Sequence, residues 1–218
     1  ILNNLNIKKF NLNKNLKLIN PYNKKIKKII FSSVVPKAFK DIKISIKRRF
    51  GLEVQELKQY NLKRILKIDV NKKQVGSDRL ANAISVINNK DNFIILDFGT
   101  ATTFDVVLKN RYKGGIIAPG VSLSLKTLVE KAKLIPNTKL TKIKNIIGNN
   151  TQNAVRSGFY WGYQGLIANI INIIEKKTKK KFKIIFTGGL SHLYKNTINK
   201  KIRVDKDLTI KGLLRLVD

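Results

Sequence analysis

Apolar residues recur along this chain in short runs set between Asn/Lys-rich stretches, and their spacing predicts the elements. The run Lys28 to Val35, K-I-I-F-S-S-V-V, has the length of a buried strand, and Pro36 stops it. Pro36 then suits the first turn of a helix reaching about Phe50, which Gly51 ends. A second short strand and a loop fill Val54 to Val75. After Gly76-Ser77-Asp78-Arg79, the residues Leu80, Ala83, Ile84 and Ile87 share one helical face, with Ser77 or Asp78 as N-cap. Upstream of Lys28 the periodicity is weak and supports a strand or two at most.

Phe93 to Leu108 reads as two apolar strands around Gly99-Thr100, a hairpin signal. Tyr112 to Gly120 reads as a glycine-rich loop containing Pro119, followed by a helix from about Ser122 to Lys133. Asn150-Thr151 caps a long helix to about Lys177, and Phe182 to Phe186 is a strand ending in Thr187-Gly188-Gly189. A short strand at Ile202 to Val204 and a helix from about Leu208 close the pattern. From Phe93 onward the order is hairpin, third strand, helices, strand, helix, strand, helix, which is α/β.

Composition narrows the chemistry. At 218 residues and 43% hydrophobic content the chain suits one large domain or two small ones with a sizeable core. No apolar run approaches the length of a membrane span, and no secretory signal opens the chain, so a cytoplasmic location is expected. Cysteine is absent and His192 is the only histidine, which excludes thiolate chemistry, disulfides and His-rich metal sites. Methionine is missing even at position 1, so the chain is read as a fragment lacking its N-terminus.

The formal charge of +32 is of the size expected for nucleic-acid binders. Only eight of the 45 basic residues are Arg, however, and the lysines are scattered among Ile and Asn. That mixture follows from AT-rich codons, whereas dedicated nucleic-acid surfaces favour the Arg fork. No helix-turn-helix, RNA-binding or zinc signature is present, so neither a specific nucleic-acid partner nor a membrane is expected.

With only 13 acidic residues, Asp78, Asp97 and Asp105 stand out, each within two positions of Gly, Thr or Arg. In I-I-L-D-F-G-T-A-T-T-F-D, a strand ends at Asp97 and turns through Gly99 and Thr100. Such a turn exposes N–H groups and the hydroxyls of Thr100, Thr102 and Thr103 towards a phosphate, while the Asp97 carboxylate can hold a cation that offsets phosphate charge. An ordinary hairpin with polar turn residues has the same pattern. Thr187-Gly188-Gly189-Leu190 fits a nucleoside lying on bare backbone, or a plain strand-to-helix turn. In Gly76-Ser77-Asp78-Arg79 the carboxylate either serves the helix start or accepts a proton from a substrate hydroxyl while Arg79 holds a substrate carboxylate.

Seven segments in order resemble the type III pantothenate kinases, members of the acetate and sugar kinase, Hsp70 and actin superfamily. They are S-S-V-V-P at Ser32 to Pro36, G-S-D-R at Gly76 to Arg79, D-F-G-T-A-T-T-F-D at Asp97 to Asp105, G-G-I-I-A-P-G at Gly114 to Gly120, G-N-N-T at Gly148 to Thr151, S-G-F-Y-W-G-Y at Ser157 to Tyr163, and T-G-G-L at Thr187 to Leu190. The resemblance implies a duplicated actin-like (ribonuclease H-like) α/β fold. Residues 1–90 would be the remainder of an N-terminally truncated first half, and 91–218 the second half with the C-terminal helix.

It also implies ATP-dependent phosphorylation of pantothenate to 4′-phosphopantothenate, the first step of coenzyme A biosynthesis, by a homodimer. Asp78 matches the catalytic base, and Gly76, Ser77 and Arg79 match substrate-binding positions, Ser77 standing where Ala is usual. Thr151 matches a pantothenate-binding Thr, and Thr100, beside Gly99, an ATP contact, with Gly188 and Gly189 as the nucleoside platform. Asp97 matches a ligand of a monovalent cation, K+ or NH4+; Mg2+ comes with ATP.

Two departures are visible. Asp69 stands where many members have a substrate-contacting Tyr, and no D-x-G-N-T phosphate loop precedes Ser32. A chain without that loop is expected to be slow or inactive. Two other readings use the same fold: a catalytically inactive regulatory relative (a transcription accessory factor), against which the intact Asp78, Arg79 and Asp97 count, and a kinase for another small hydroxyl substrate.

Overall fold

The computed structural model describes residue 17 and residues 20–217, apart from 34 and 197. The weak pattern before residue 28 resolves, where described, into a 3-10 helix at Asn20–Lys25; the strand or two expected earlier lies outside the described residues. The described residues divide into two compact units, one formed by those up to Val86 together with 208–217, the other by those of Ile87–Asp207.

In the first unit, β1 (Ile29–Phe31) pairs in parallel with β2 (Val54–Glu56). Between them runs α1 (Pro36–Phe50), with Pro at its first turn as expected. Phe39, Ile42, Ile46 and Phe50 recur at helical spacing and pack on Val54, Ile29, Phe31 and Leu52. Gly51, at φ 67°, ends the helix and donates its N–H to the Lys47 carbonyl at 2.9 Å. Three basic residues in the last turn, Lys47, Arg48 and Arg49, complement the negative end of the helix dipole.

The expected strand and loop over Val54–Val75 are mostly short 3-10 turns, at Leu57–Gln59, Leu62–Arg64 and Lys72–Gln74, around the two-residue β3 (Lys67–Ile68). Helix α2 (Ser77–Val86) follows, with Leu80, Ala83 and Ile84 fully buried and Ile87 one residue past its end.

In the second unit, β4 (Asn92–Phe98) and β5 (Ala101–Leu108) form the hairpin read from the sequence, turning at Gly99-Thr100. The glycine-rich segment read as a loop is a strand instead, β6 (Arg111–Pro119), antiparallel to β5. Its glycines sit opposite Asp105 and Val106, and the ladder register shifts next to them, Val106 pairing with Gly114 and Val107 with Tyr112, so that Lys113 of β6 is the extra residue of a bulge. A ladder partner and a bulge accommodate residues whose composition alone signals a turn.

Helices α3 (Val121–Lys131) and α4 (Thr151–Thr178) come next, then β7 (Lys183–Gly188), parallel to β4. A short α5 (Ser191–Tyr194) leads on to β8 (Ile202–Val204), parallel to β7. Within this unit neighbouring strands lie in the order β6-β5-β4-β7-β8. In order of appearance that is third, second, first, fourth, fifth, with the second antiparallel to its neighbours.

Ile94, Leu96, Phe104 and Phe186 pack under Ile167, Ile171 and Tyr160 of α4. Each such side chain contributes about 1.5–3 kcal/mol by leaving water. The last helix, α6 (Leu208–Leu214), which chain order had placed with the second half, packs instead on α2. Thr209 Oγ1 donates to Asn82 Oδ1 at 2.7 Å, and Arg215 Nη1 to the Ile84 carbonyl at 2.7 Å. No described helix is long and apolar enough to cross a membrane.

Candidate active site

Parallel pairing of β4 with β7 puts Asp97 level with Thr187, and Phe98 level with Gly188. Antiparallel pairing with β5 puts Thr103 directly across from Asp97. Residues paired across neighbouring strands share a face, so one row of the sheet presents Thr103, Asp97 and Thr187, three oxygen-bearing side chains. Asp97 is half-buried. The Thr103 hydroxyl is buried and has no hydrogen-bond partner among the described groups.

Gly188 ends β7 at φ 84°, a backbone conformation that L side chains rarely adopt. A Cβ there would lie 2.6 Å from Asp97 Oδ1 and 2.7 Å from the Phe98 backbone. The two motifs read separately from the sequence, D-F-G-T and T-G-G, are therefore in contact. Gly189 is exposed, and a Cβ there would meet nothing within 4 Å, so its backbone lies open to a ligand. Gly99 and Thr100 are exposed at the hairpin turn, which Gly99 N–H closes on the Ala101 carbonyl at 3.1 Å. Ser191, wholly buried, donates to the Gly188 carbonyl at 2.8 Å and braces the turn into α5.

Two residues of this site were not singled out from the sequence. Gly120, at the junction of β6 and α3, packs flush against the turn; a Cβ on it would lie 2.7 Å from the Gly99 carbonyl oxygen and would overlap that of Thr100. Its φ of −72° is open to any residue, so space and not backbone conformation calls for glycine here. Tyr163 from α4 reaches the same junction, donating to the Pro119 carbonyl at 3.2 Å. Gly120 and Tyr163 close the G-G-I-I-A-P-G and S-G-F-Y-W-G-Y motifs, but only tertiary contacts reveal what they touch.

Gly76 to Arg79 lie in the first unit. Neither Ser77 nor Asp78 caps α2: the helix begins at Ser77, and the Gly76 carbonyl accepts Leu80 N–H at 3.2 Å. Asp78 is the acidic residue of the first turn, half-buried, and its Oδ1 accepts the Arg79 N–H at 2.8 Å. The Ser77 hydroxyl is turned inward, 2% exposed, where it donates to Glu56 Oε1 and approaches the Ser33 carbonyl at 3.4 Å. Glu56 Oε2 in turn accepts Lys58 N–H at 2.6 Å. This links S-S-V-V-P to G-S-D-R. Asp69 is exposed, just after β3.

Thr151 is exposed as the first residue of α4, next to Asn150, whose side chain caps the helix by accepting Asn153 N–H at 2.9 Å. In the core of this unit, Phe98 stacks on Tyr194 with ring centroids 5.5 Å apart. Burial, helped by nearby Tyr163 and Tyr160, pushes the Tyr194 hydroxyl well above the usual tyrosine range. Among the described residues no group of three or more His, Asp or Glu gathers as a metal cluster.

A family model described as type III pantothenate kinase matches residues 10–173. A type III pantothenate kinase from Pelagibacter ubique is 61% identical over 204 residues, covering 94% of this chain and 82% of that protein. One from Cereibacter sphaeroides is 45% identical over 142 residues, covering 64% of this chain and 55% of that protein. Among solved structures, a Baf family protein from Campylobacter jejuni shares the fold with a TM-score of 0.62 at 22% identity, over 91% of this chain and 86% of that one.

Proposed function

The chain belongs to the type III pantothenate kinase family, and we propose that it transfers the γ-phosphoryl group of ATP to the hydroxyl of pantothenate. The products are ADP and 4′-phosphopantothenate, in the first step of coenzyme A biosynthesis. One observation carries this reading: the family match spans Asp78, Asp97, Thr100 and Thr151 in a single stretch.

The pantothenate hydroxyl oxygen forms the new bond to phosphorus, the bond from γ-phosphorus to the bridging oxygen breaks, and ADP leaves with that oxygen. Asp78 accepts the hydroxyl proton, and Arg79 and Thr151 hold pantothenate. Thr100 and the Gly99 backbone meet the phosphates, and Gly188-Gly189 lie against the nucleoside. Phosphoryl transfer of this kind depends on positioning and charge neutralisation more than on covalent help.

The fold family implies a monovalent cation, K+ or NH4+, at Asp97, and Mg2+ arriving with ATP. The residues present fit the monovalent ion. Asp97 is flanked in register by two Thr hydroxyls, and the buried Thr103 hydroxyl has no partner among the described groups. Asp97 would hold the ion, which when bound offsets phosphate charge.

Three finer readings accompany this one. The third-second-first-fourth-fifth strand order supports a ribonuclease H-like half in residues 87–207, as in an actin-like duplication. Homodimerisation is supported by exposed apolar side chains in the second unit, Ile117, Leu134 and Ile147 among them, and a light-scattering mass of one protomer would oppose it. The cytoplasm is the compartment we assign, where ATP is at hand.

The decisive assay is ATP-dependent phosphorylation of pantothenate by the full-length protein, in potassium and then in sodium. Potassium-dependent product is the expected result. A folded protein giving no product in either salt would turn the reading towards another hydroxyl substrate.

A further inference from the structure

Resting on that reading, we propose that Tyr163 is a positioning residue for ATP, acting through the Pro119-Gly120 junction on the Thr100 turn. No line of the sequence gave Tyr163 a task, although it ends the S-G-F-Y-W-G-Y motif. In the structure its hydroxyl donates to the Pro119 carbonyl at 3.2 Å and lies 3.0 Å from Ser124 Oγ. Ser124 N–H donates to the Gly120 carbonyl at 2.9 Å, so one phenol grips both sides of the junction between β6 and α3.

That junction is the wall behind the turn. Pro119 is the last rung of the β5–β6 ladder, paired with Ala101, and Gly120 abuts the carbonyls of Gly99 and Thr100. Gly99 and Thr100 are themselves exposed, closed by one hydrogen bond at 3.1 Å. A two-residue turn held that lightly keeps its N–H groups aimed at a phosphate only if something behind it stays still. The Tyr163 ring is set for this task, stacked on Phe159 at 6.0 Å and against Tyr194 at 6.4 Å. The phenol thus carries the rigidity of a 28-residue helix to a backbone that has little of its own.

Tyr163→Phe tests this with the smallest change, since the ring contacts stay and only the hydroxyl goes. Losing the grip on the junction raises KM for ATP by about 3- to 10-fold, the worth of one or two ordinary hydrogen bonds. KM for pantothenate stays within about twofold by the same argument, because among the described residues the hydroxyl's hydrogen bonds go to Pro119 and Ser124, on the two sides of this junction. A second measurement, calorimetric binding of Mg·ADP without pantothenate, separates this inference from the reading beneath it. Tight ADP binding by the unaltered protein and weaker binding by Tyr163→Phe is the expected pair. Equal ADP affinity in a folded Tyr163→Phe protein, or matched rises in both KM values, overturns the positioning role. Failure of the unaltered protein to bind ADP sinks the kinase reading, and this inference with it.

Discussion

The carboxylate of Asp97 occupies the space that a side chain on Gly188 would need: a Cβ there would lie 2.6 Å from Asp97 Oδ1. Gly188 also sits at φ 84°, so any substitution there combines backbone strain with displacement of the carboxylate.

Gly188→Ala is therefore expected to lose about 1–3 kcal/mol of stability. By moving Asp97 it should also raise KM for ATP by roughly tenfold, equivalent to ~1.4 kcal/mol. Gly189→Ala is the control for stability, because its Cβ would stand in open space and cost within about 0.5 kcal/mol. Denaturant unfolding of both variants, with ATP saturation curves for Gly188→Ala, checks the contrast. Equal stability losses would place the constraint elsewhere.

Asp78→Asn keeps the shape of the first turn of α2 while removing the proton acceptor. Turnover should fall by about 10²–10⁴, the usual worth of general base catalysis, with an unchanged far-ultraviolet dichroism spectrum. Near-normal turnover would remove Asp78 from the chemistry.

Ser77→Ala deletes a buried hydroxyl and leaves Glu56 Oε1 without its O–H donor. Stability should drop by about 1–3 kcal/mol, read as a lower denaturant midpoint at constant slope. A midpoint unchanged by the substitution would mean that Glu56 is solvated equally well without Ser77. Glu56→Gln keeps one acceptor oxygen, for the Ser77 hydroxyl or for the Lys58 N–H but not both, and should also lower the midpoint.

Tyr194 is expected to contribute to the alkaline limb of the stability curve. Its folded pKa lies above the ordinary 10.0, chiefly through burial, so the unfolded chain releases this proton first as pH rises. Stability from this group is full below about pH 10 and falls from there towards the folded value. Tyr194→Phe should flatten that fall while giving up the hydrogen bond to the Phe159 carbonyl at 3.2 Å. Midpoints measured across the alkaline range compare the two slopes; parallel slopes would mean that Tyr194 does not control them.

Much of the architecture was legible in the chain itself. Pro36 and Gly51 bracket α1, Asn150 caps α4, and the hairpin turns at Gly99-Thr100, because caps, prolines and alternation are local rules that act within a few residues. The α/β order and the family followed from motifs in sequence. The strand at Arg111–Pro119 was not legible, since glycine reads as a turn until a ladder partner with a bulge is in place. The packing of α6 on α2 was hidden for a related reason: 121 residues separate Val86 from Leu208, and no local pattern encodes which partner a short apolar helix will choose.

The same division runs through the candidate site. Sequence alone placed Asp97, Thr100 and Gly188 in motifs and named their chemistry, since residue type sets what a group can donate, accept or ionise. Only the tertiary structure decided that Gly188 makes room for Asp97, that Gly120 backs the Thr100 turn, that Tyr163 grips the junction behind it, and that the Ser77 hydroxyl faces Glu56. Those are facts of distance between residues 20 to 91 positions apart, fixed by strand register and helix packing. Register is a property of pairs of strands, and no single stretch of chain contains it.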